Sequence, residues 1–252
     1  GLRPHLPSVE TAQRALAHPV SDELRAVGAI TDRDGVDDAV LEWLTVLSRR
    51  DVALLVHLQA PEQTIEPARV LLARFAHWWA VLERNGPLVR IRGAGTATTE
   101  GAAGMLINSE VDRLCGALKP ASLRPATIDV AELVAAVKDP AGLRAFLLDR
   151  RFDAEQVNVL TLAADTEKSA QASVVAIQSG VTGEPARSHI ESGTVTIVDT
   201  PLGRLVSEQV IRAGKPWMIV SPGSPSNIGT AVRNLLRRLP AESDWYSHRK
   251  VV

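Results

Sequence analysis

The stretch from Ser192 to Pro240 constrains the fold most, because it reads as three strands and a helix in unbroken succession. Residues 194–198 are all β-branched, and such side chains suit a pleated strand better than a helix. Residues 200–203, Thr-Pro-Leu-Gly, place proline and glycine where a type I turn uses them, so the chain should return antiparallel. A second turn over 212–215 leads to a third strand. The stretch therefore predicts a three-stranded antiparallel meander.

The helix after this meander is signalled at both ends. Ser224 is suited to cap its first turn, Pro225 fits its first position and Pro240 closes it. Apolar residues recur at helical spacing in a stripe about 100° wide, with arginines on the other side. The stripe consists of Ile228, Ala231, Val232, Leu235, Leu236 and Leu239. One face of this helix should be buried.

The same order of elements occurs earlier in the chain. An Asn85-Gly86 pair marks a hairpin, and a glycine-rich break at residues 93–95 separates the last strand from a helix. The predicted elements are strands over 70–76, 78–83 and 88–92, and a helix over 99–118. Residue identity between the two segments is low, so the repeat rests on the order of elements.

Short helices and one further strand precede each meander. Apolar runs of strand length occupy residues 52–58 and 172–177, and irregular loops should follow them over 60–67 and 179–189. Capping patterns at Asp129, Asp139 and Asp153 predict helices over about 130–138, 140–149 and 153–164. Three matching helices are expected in the first half, beginning near Ser8, Ser21 and Asp34.

These patterns predict an α+β protein of two quasi-twofold-related halves. Each half should have short helices, a four-stranded antiparallel sheet and a long amphipathic helix. We expect the halves to be residues 1–120 and 121–252, together forming one compact domain. A chain of 252 residues can bury roughly 70% of its unfolded surface without disulfides or metals.

Composition excludes several classes of protein. With 28 basic and 29 acidic residues, the chain lacks the positive field that sequence-independent nucleic-acid binding requires. The single cysteine, Cys115, cannot form an internal disulfide and fits a reducing compartment. No apolar run approaches the roughly 18–20 residues of a membrane helix, and no signal peptide begins at Gly1. We therefore expect a cytoplasmic protein that does not insert into membranes.

Motifs of catalysis are weak. The six histidines are dispersed, without the spacing of metal ligands, and the serines after Gly223 are better explained as helix caps than as nucleophiles. The nearest ligand motif is the Gly93-Ala94-Gly95 segment before a helix, where exposed amides favour phosphate. Its third glycine is replaced by Thr98, and the preceding strand follows a hairpin. We predict no catalytic residue, metal or cofactor, with a nucleotide-binding enzyme at this segment as the alternative.

Trp78 and Trp79 are adjacent in a predicted strand, so their rings must point to opposite faces of the sheet. Two outcomes are open. Helices cover both rings, or one ring is in the core and the other is partly exposed.

An ordered set of short segments is distributed over nearly the whole chain. The set comprises residues 42–44, 74–76, 81–84, 195–205, 221–224 and 239–241, with Trp245. In this set, and in no single motif, the chain resembles the EspG family, the cytosolic chaperones of mycobacterial type VII (ESX) secretion. The resemblance is strongest to the member encoded with the second ESX system. The family begins with one more N-terminal strand than this sequence contains, which leaves completion of the sheet open.

This resemblance implies an α+β fold without enzymatic activity, and a protein partner. The partner is a helical PE–PPE heterodimer, gripped at the tip of the PPE subunit, kept soluble and directed to the secretion system. A self-assembling structural protein is a second alternative, and a homo-oligomer is left open.

By position, the family's partner-facing elements fall on the loops at 62–69 and 180–190 and on the C-terminal helix. The alternative for each residue there is an ordinary solvated loop side chain. The predicted partner-binding residues are Gln63, Ile65, Glu66, Arg69, Glu184, Arg187, Ser188 and His189.

Overall fold

One antiparallel sheet of ten strands organises the part of the chain described by the computed structural model, residues 20–33, 35–61, 67–137, 140–181 and 187–250. In chain order the strands are β1 (Val52–Gln59), β2 (Ala68–Phe75), β3 (Trp78–Asn85), β4 (Leu88–Thr96), β5 (Ala126–Asp129), β6 (Ala170–Val181), β7 (Arg187–Ile190), β8 (Val195–Thr200), β9 (Gly203–Arg212) and β10 (Lys215–Pro222). Across the sheet their order is β4-β3-β2-β1-β6-β8-β9-β10-β5, and β7 pairs with β6 beside this path.

The helices lie on both faces of this sheet. They are α1 (Val20–Ala26), α2 (Asp38–Arg49), α3 (Glu100–Cys115), α4 (Val130–Ala136), α5 (Pro140–Asp149), α6 (Ala154–Ala163) and α7 (Pro225–Arg237), followed by a 3₁₀ turn at Glu242–Asp244. The predicted α+β class is confirmed. The predicted helix near Ser8 lies outside the described residues.

The two halves join edge to edge at the centre of the sheet. Strands β1 and β6 pair antiparallel from Val52↔Gln178 to Gln59↔Gln171. In each half three more strands follow outward from the central one and a long helix follows them, α3 in the first half and α7 in the second. This arrangement is the predicted quasi-twofold order, with the two four-stranded sets merged into one sheet.

Helices cover the two faces unequally. On one face, α3 and α7 pack over the centre and form a core cluster with side chains of both halves, including Leu54 and Ile197. On the opposite face, α2 packs on β2, β3 and β4. A separate cluster there joins α4, α5 and α6 to β8, β9, β10 and β5 through residues such as Val198 and Leu205.

Helix α2 can approach the sheet closely because it lies on a row of small residues. Ala53, Ala73, Ala80 and Gly93 face one another in register across four neighbouring strands. A Cβ atom at Gly93 would lie 2.8 Å from Nε1 of Trp43 on α2. The predicted break at residues 93–95 is therefore wrong: both glycines belong to β4, which accommodates one extra residue opposite the Trp79/Ala80 step.

Most caps form as predicted. Ser224 Oγ accepts the amide of Asn227 at 3.2 Å, and Asp153 and Gln156 form a reciprocal capping box at the start of α6. Helix α3 ends at Cys115, before the predicted residue 118, because Gly116 adopts a φ of 65°. Strands β5 and β7 were not predicted; each has four residues and pairs with a single strand.

The two adjacent tryptophans differ in burial. Trp79 is 2% exposed and packs in the core, whereas Trp78 is 48% exposed. The second of the two predicted outcomes is therefore the observed one.

Substituting Gly93→Ala should destabilise the protein by about 1–3 kcal/mol, because the added methyl group overpacks the contact with Trp43. Urea denaturation measures this. Gly101→Ala in α3, where an added Cβ meets nothing within 4 Å, is the matched control and should be neutral or stabilising. An equal change in the free energy of unfolding in the two variants would show that close packing of α2 does not depend on the small residue at position 93.

Candidate functional site

Four of the eight predicted partner-binding residues are described by the structure. Arg69 lies on β2, and Arg187, Ser188 and His189 lie on β7. Gln63, Ile65, Glu66 and Glu184 lie outside the described residues.

The predicted irregular loop over 179–189 is wrong at both of its ends. Strand β6 continues to Val181, and Arg187 pairs with that residue at the start of β7. The physical reason is that β8 pairs with β6 only as far as Val174. Backbone groups of β6 beyond that point need another hydrogen-bonding strand, which β7 supplies.

The structure does not bring the two predicted groups together. Arg69 pairs with His57, which in turn faces Ser173 on β6, whereas Arg187 faces Val181. Eight residues of an extended strand separate Ser173 from Val181, a distance of about 26 Å. The two groups thus mark opposite ends of the central strand pair.

Between these ends, one face of the central strands is left open by the described helices. We call this surface the open strip and define it by Leu55, His57, Ser173, Val175 and Thr196. All five side chains are partly or fully exposed. On one side lies the cluster under α2, and on the other the cluster under α4–α6, whose border is marked by a hydrogen bond from Gln171 Nε2 to the carbonyl of Ala163 at 3.3 Å.

The open strip combines an apolar row with a polar one. Leu55 and Val175 face each other across β1 and β6, and Leu71 and Leu82 extend this row over β2 and β3. Two residues further along each strand, the polar row consists of Arg84, Arg69, His57, Ser173, Thr196 and Ser207. Ser173 Oγ and Thr196 Oγ1 are 3.4 Å apart. Such a surface can bind an amphipathic segment.

Sequence reasoning missed most of the open strip, since it placed the site in loops. One signal was present: His57 is a polar residue inside an otherwise apolar strand.

At the β7 end, the chain's last described residues are fastened to the sheet. Arg74, 1% exposed, donates to the carbonyls of Ala76, Trp245 and His248. Asp51 accepts the amides of Ala76 at 2.9 Å and Lys250 at 2.8 Å. Burial lowers the pKa of Arg74 to about 10, so its guanidinium remains charged at neutral pH.

His189 is also tied into the fold. Its Nε2 lies 3.6 Å from Glu191 Oε2, and Arg238 connects Glu191, at 3.5 Å, to Glu208 on β9, at 2.5 Å. His189 is thus partly buried beside Glu191, while the neighbouring Arg187 and Ser188 are exposed.

Groups suited to metal or nucleotide chemistry do not assemble in the described part of the chain. No set of three or more His, Cys, Asp or Glu side chains there could hold a metal ion. The glycines of the Gly93 segment are paired within the sheet, and Thr99 caps α3 by accepting the amide of Ala102. The nucleotide-binding alternative is not supported. None of the described helices combines the length and apolarity needed to cross a bilayer.

Together these features define an α+β protein of two quasi-twofold halves that leaves the centre of one sheet face uncovered. The EspG family model matches residues 1–234. The chain belongs to the EspG family.

Its relatives include proteins of type VII secretion. The chain is 51% identical over 253 residues to the ESX-2 secretion-associated protein EspG2 of two Mycobacterium tuberculosis strains, covering 100% of this chain and 91% of the relative. A solved M. tuberculosis structure, the type VII secretion system chaperone EspG5 in complex with a PE25–PPE41 dimer, is similar with a TM-score of 0.74 and 19% identity over 92% of this chain and 88% of that one. At that identity the likeness establishes the fold.

Replacing Arg74 by leucine should lower the free energy of unfolding by about 3 kcal/mol, because the carbonyls of Ala76, Trp245 and His248 would lose the buried donor that they share. The same change should make the C-terminal residues more sensitive to carboxypeptidase, since two of the three carbonyls that Arg74 binds belong to them. Urea denaturation and a digestion time course measure the two effects.

The control is Arg212→Leu, at an exposed strand position, where we expect a change within about 0.5 kcal/mol. Digestion at the wild-type rate in Arg74→Leu would contradict the anchoring role.

Proposed function

We propose that this protein is a cytoplasmic chaperone that binds a PE–PPE heterodimer at the tip of the PPE subunit, keeps it soluble and directs it to an ESX secretion system. Membership of the EspG family supports this proposal, as does the 51% identity to EspG2, an ESX-2 secretion-associated protein. The related EspG5 was solved in complex with a PE25–PPE41 dimer.

The observation that carries the proposal is the open strip. Leu55 and Val175 are only partly buried at the centre of the sheet, although the same strands are fully covered on their other face. A contiguous exposed apolar surface marks an interaction site in a water-soluble protein. A standard interface buries roughly 1,600 Å² in total, so the strip would be the middle of a larger contact.

The predicted partner-binding residues frame the strip at its two ends. Arg69 borders one end, and Arg187 and Ser188 border the other. Gln63, Ile65, Glu66 and Glu184 stay predicted contact residues outside the described part of the chain. Two packed helices are about 20–24 Å wide, so they span most of the about 26 Å between the two ends. We therefore assign contact with the helical tip of the partner to both ends and to the strip between them.

The same proposal covers domain organisation and chemistry. Residues 1–120 and 121–252 act as one compact domain, because each half supplies one of the two strands beneath the strip. The protein acts by covering apolar surface of its partner, without catalysis, cofactor or metal.

Val175→Asp should weaken binding to a PE–PPE pair from the same genome by at least tenfold, because it puts a charge into the apolar centre of the contact. Calorimetric titration after co-expression of the pair measures the loss. Ile211→Asp, at an exposed apolar strand position outside the strip, is the control and should bind like the wild type.

Two results would contradict the function. One is failure of the wild-type protein to form a complex with any PE–PPE pair of its genome. The other is undiminished binding by Val175→Asp. Concentration-dependent oligomers of the free chain, together with either result, would favour a self-assembling structural protein.

A further inference from the structure

Three basic side chains, two arginines and a histidine, line up across neighbouring strands at one end of the open strip. His57 on β1 pairs with Arg69 on β2, and Arg69 pairs with Arg84 on β3. Directly paired residues of an antiparallel sheet point to the same face and lie about 5 Å apart. We call His57, Arg69 and Arg84 the basic row.

The basic row has no internal counter-charge in the described part of the chain. Arg84 donates through Nε to the carbonyl of Gly86 at 3.3 Å, and no carboxylate there forms an ion pair with Arg69, Arg84 or His57. Other arginines of the same half are paired: Arg92 binds Glu110, and Arg113 binds both Glu110 and Glu83.

Like charges directly opposite each other across two strands destabilise a sheet. The Arg69–Arg84 pair therefore makes the free protein less stable than an oppositely charged pair would, and an anionic group placed against it would offset that cost. This is the signature of a binding surface whose ligand is acidic.

The neighbouring apolar row specifies what kind of acidic ligand fits. Leu55, Leu71 and Leu82 lie two residues along each strand from the basic row, about 6.6 Å away. These leucines are only partly buried, Leu71 and Leu82 against the cluster under α2, and a bare phosphate or a nucleic-acid backbone would leave their remaining surface in water. An amphipathic helix about 10 Å in diameter covers both rows, with its apolar stripe on the leucines and one polar flank on the basic side chains.

The spacing of the three basic side chains matches a helix that lies across the strands. Adjacent strands are about 4.8 Å apart, so neighbouring members of the basic row are separated by that distance and the whole row spans about 9.6 Å. A helix rises about 1.5 Å per residue. Residue i+3 or i+4 therefore lies about 4.5–6 Å along the axis from residue i, and residue i+7 lies about 10.5 Å from it.

We propose that the basic row receives an amphipathic helix of the protein partner that carries Asp or Glu at positions i, i+3 or i+4, and i+7 beside its apolar stripe. The proposal rests on the proposed function, because it names the chemistry of the partner segment that occupies the Arg69 end of the open strip. It adds two residues, His57 and Arg84, to the predicted contact residue Arg69.

The first experiment uses Arg69→Glu, which places an acid between His57 and Arg84. The melting temperature of the free protein should stay level or rise, because the like-charge pair of residues 69 and 84 becomes an opposite-charge pair. Binding to the PE–PPE pair should fall at least tenfold, and the loss should shrink as NaCl is raised from 50 to 500 mM. Arg212→Glu, another exposed strand arginine without an ion pair among the described residues, is the matched control and should change neither binding nor its salt dependence.

The opposite pattern would overturn the proposal. A residue with a purely structural role predicts a lower melting temperature and unchanged affinity in Arg69→Glu. If Val175→Asp loses binding while Arg69→Glu retains it, the chaperone function stands and the acidic-helix inference fails.

A second experiment tests the inference without a PE–PPE pair. The probe is a fluorescent, helix-stabilised peptide with a leucine stripe and glutamates at i, i+4 and i+7 on one flank, compared with its glutamine counterpart by anisotropy. We expect the acidic peptide to bind the wild-type protein at least tenfold more tightly than the glutamine peptide, and the difference to vanish in Arg69→Glu. Equal binding of both peptides, or a stronger response of the basic row to a single-stranded oligonucleotide than to the acidic peptide, would refute the assignment.

Discussion

The antiparallel pairing of β1 with β6 is the interaction on which the rest of the structure depends. Its register, from Val52↔Gln178 to Gln59↔Gln171, aligns the alternating faces of both halves along one line. One alternating set of apolar side chains from both strands, including Leu54 and Val174, therefore points toward α3 and α7 and fills a single core cluster that crosses the junction. A shift of the register by one residue would turn every one of these side chains to the other face.

The same register creates the open strip. Helix α2 packs on the small-residue row that includes Ala53 and Gly93. Helix α6 ends beside Gln171, which donates to the carbonyl of Ala163, and does not extend over the central strands. The helices of the opposite face thus sit over the outer strands. What remains uncovered is the middle of the sheet, where polar and apolar rows from both halves run side by side. The candidate site is a consequence of how far the helices extend.

Long-range polar contacts then hold the end of the chain in place. The guanidinium of Arg74 and the carboxylate of Asp51 bind backbone groups about 170 to 200 residues away in sequence, including those of His248 and Lys250. Because both charged groups are buried, their desolvation costs free energy, and the hydrogen bonds that they form with the backbone offset this cost. It rigidifies the sheet beside the β7 end of the site.

Local chemistry settled much of the architecture from the sequence alone. The turn at residues 200–203, the cap at Ser224 and the capping box of Asp153 and Gln156 each act over three or four residues, and all are present. The repeated order of strands and helix fixed the α+β class and the quasi-twofold plan. Of the site, the sequence assigned Arg69 and Arg187 to partner-facing loops, and only the structure showed that they lie at opposite ends of the central strand pair with an open surface between them.

Tertiary structure decided which strands become neighbours and in what register. A period of two tells which side chains share a face, but it carries no information about the partner strand, because pairing joins backbone groups far apart in sequence. That is why Arg187 to His189 became a strand only beside β6, and why Gly93 stayed within β4 only beneath Trp43. His57, Arg69 and Arg84 form a row for the same reason: three separate strands meet there.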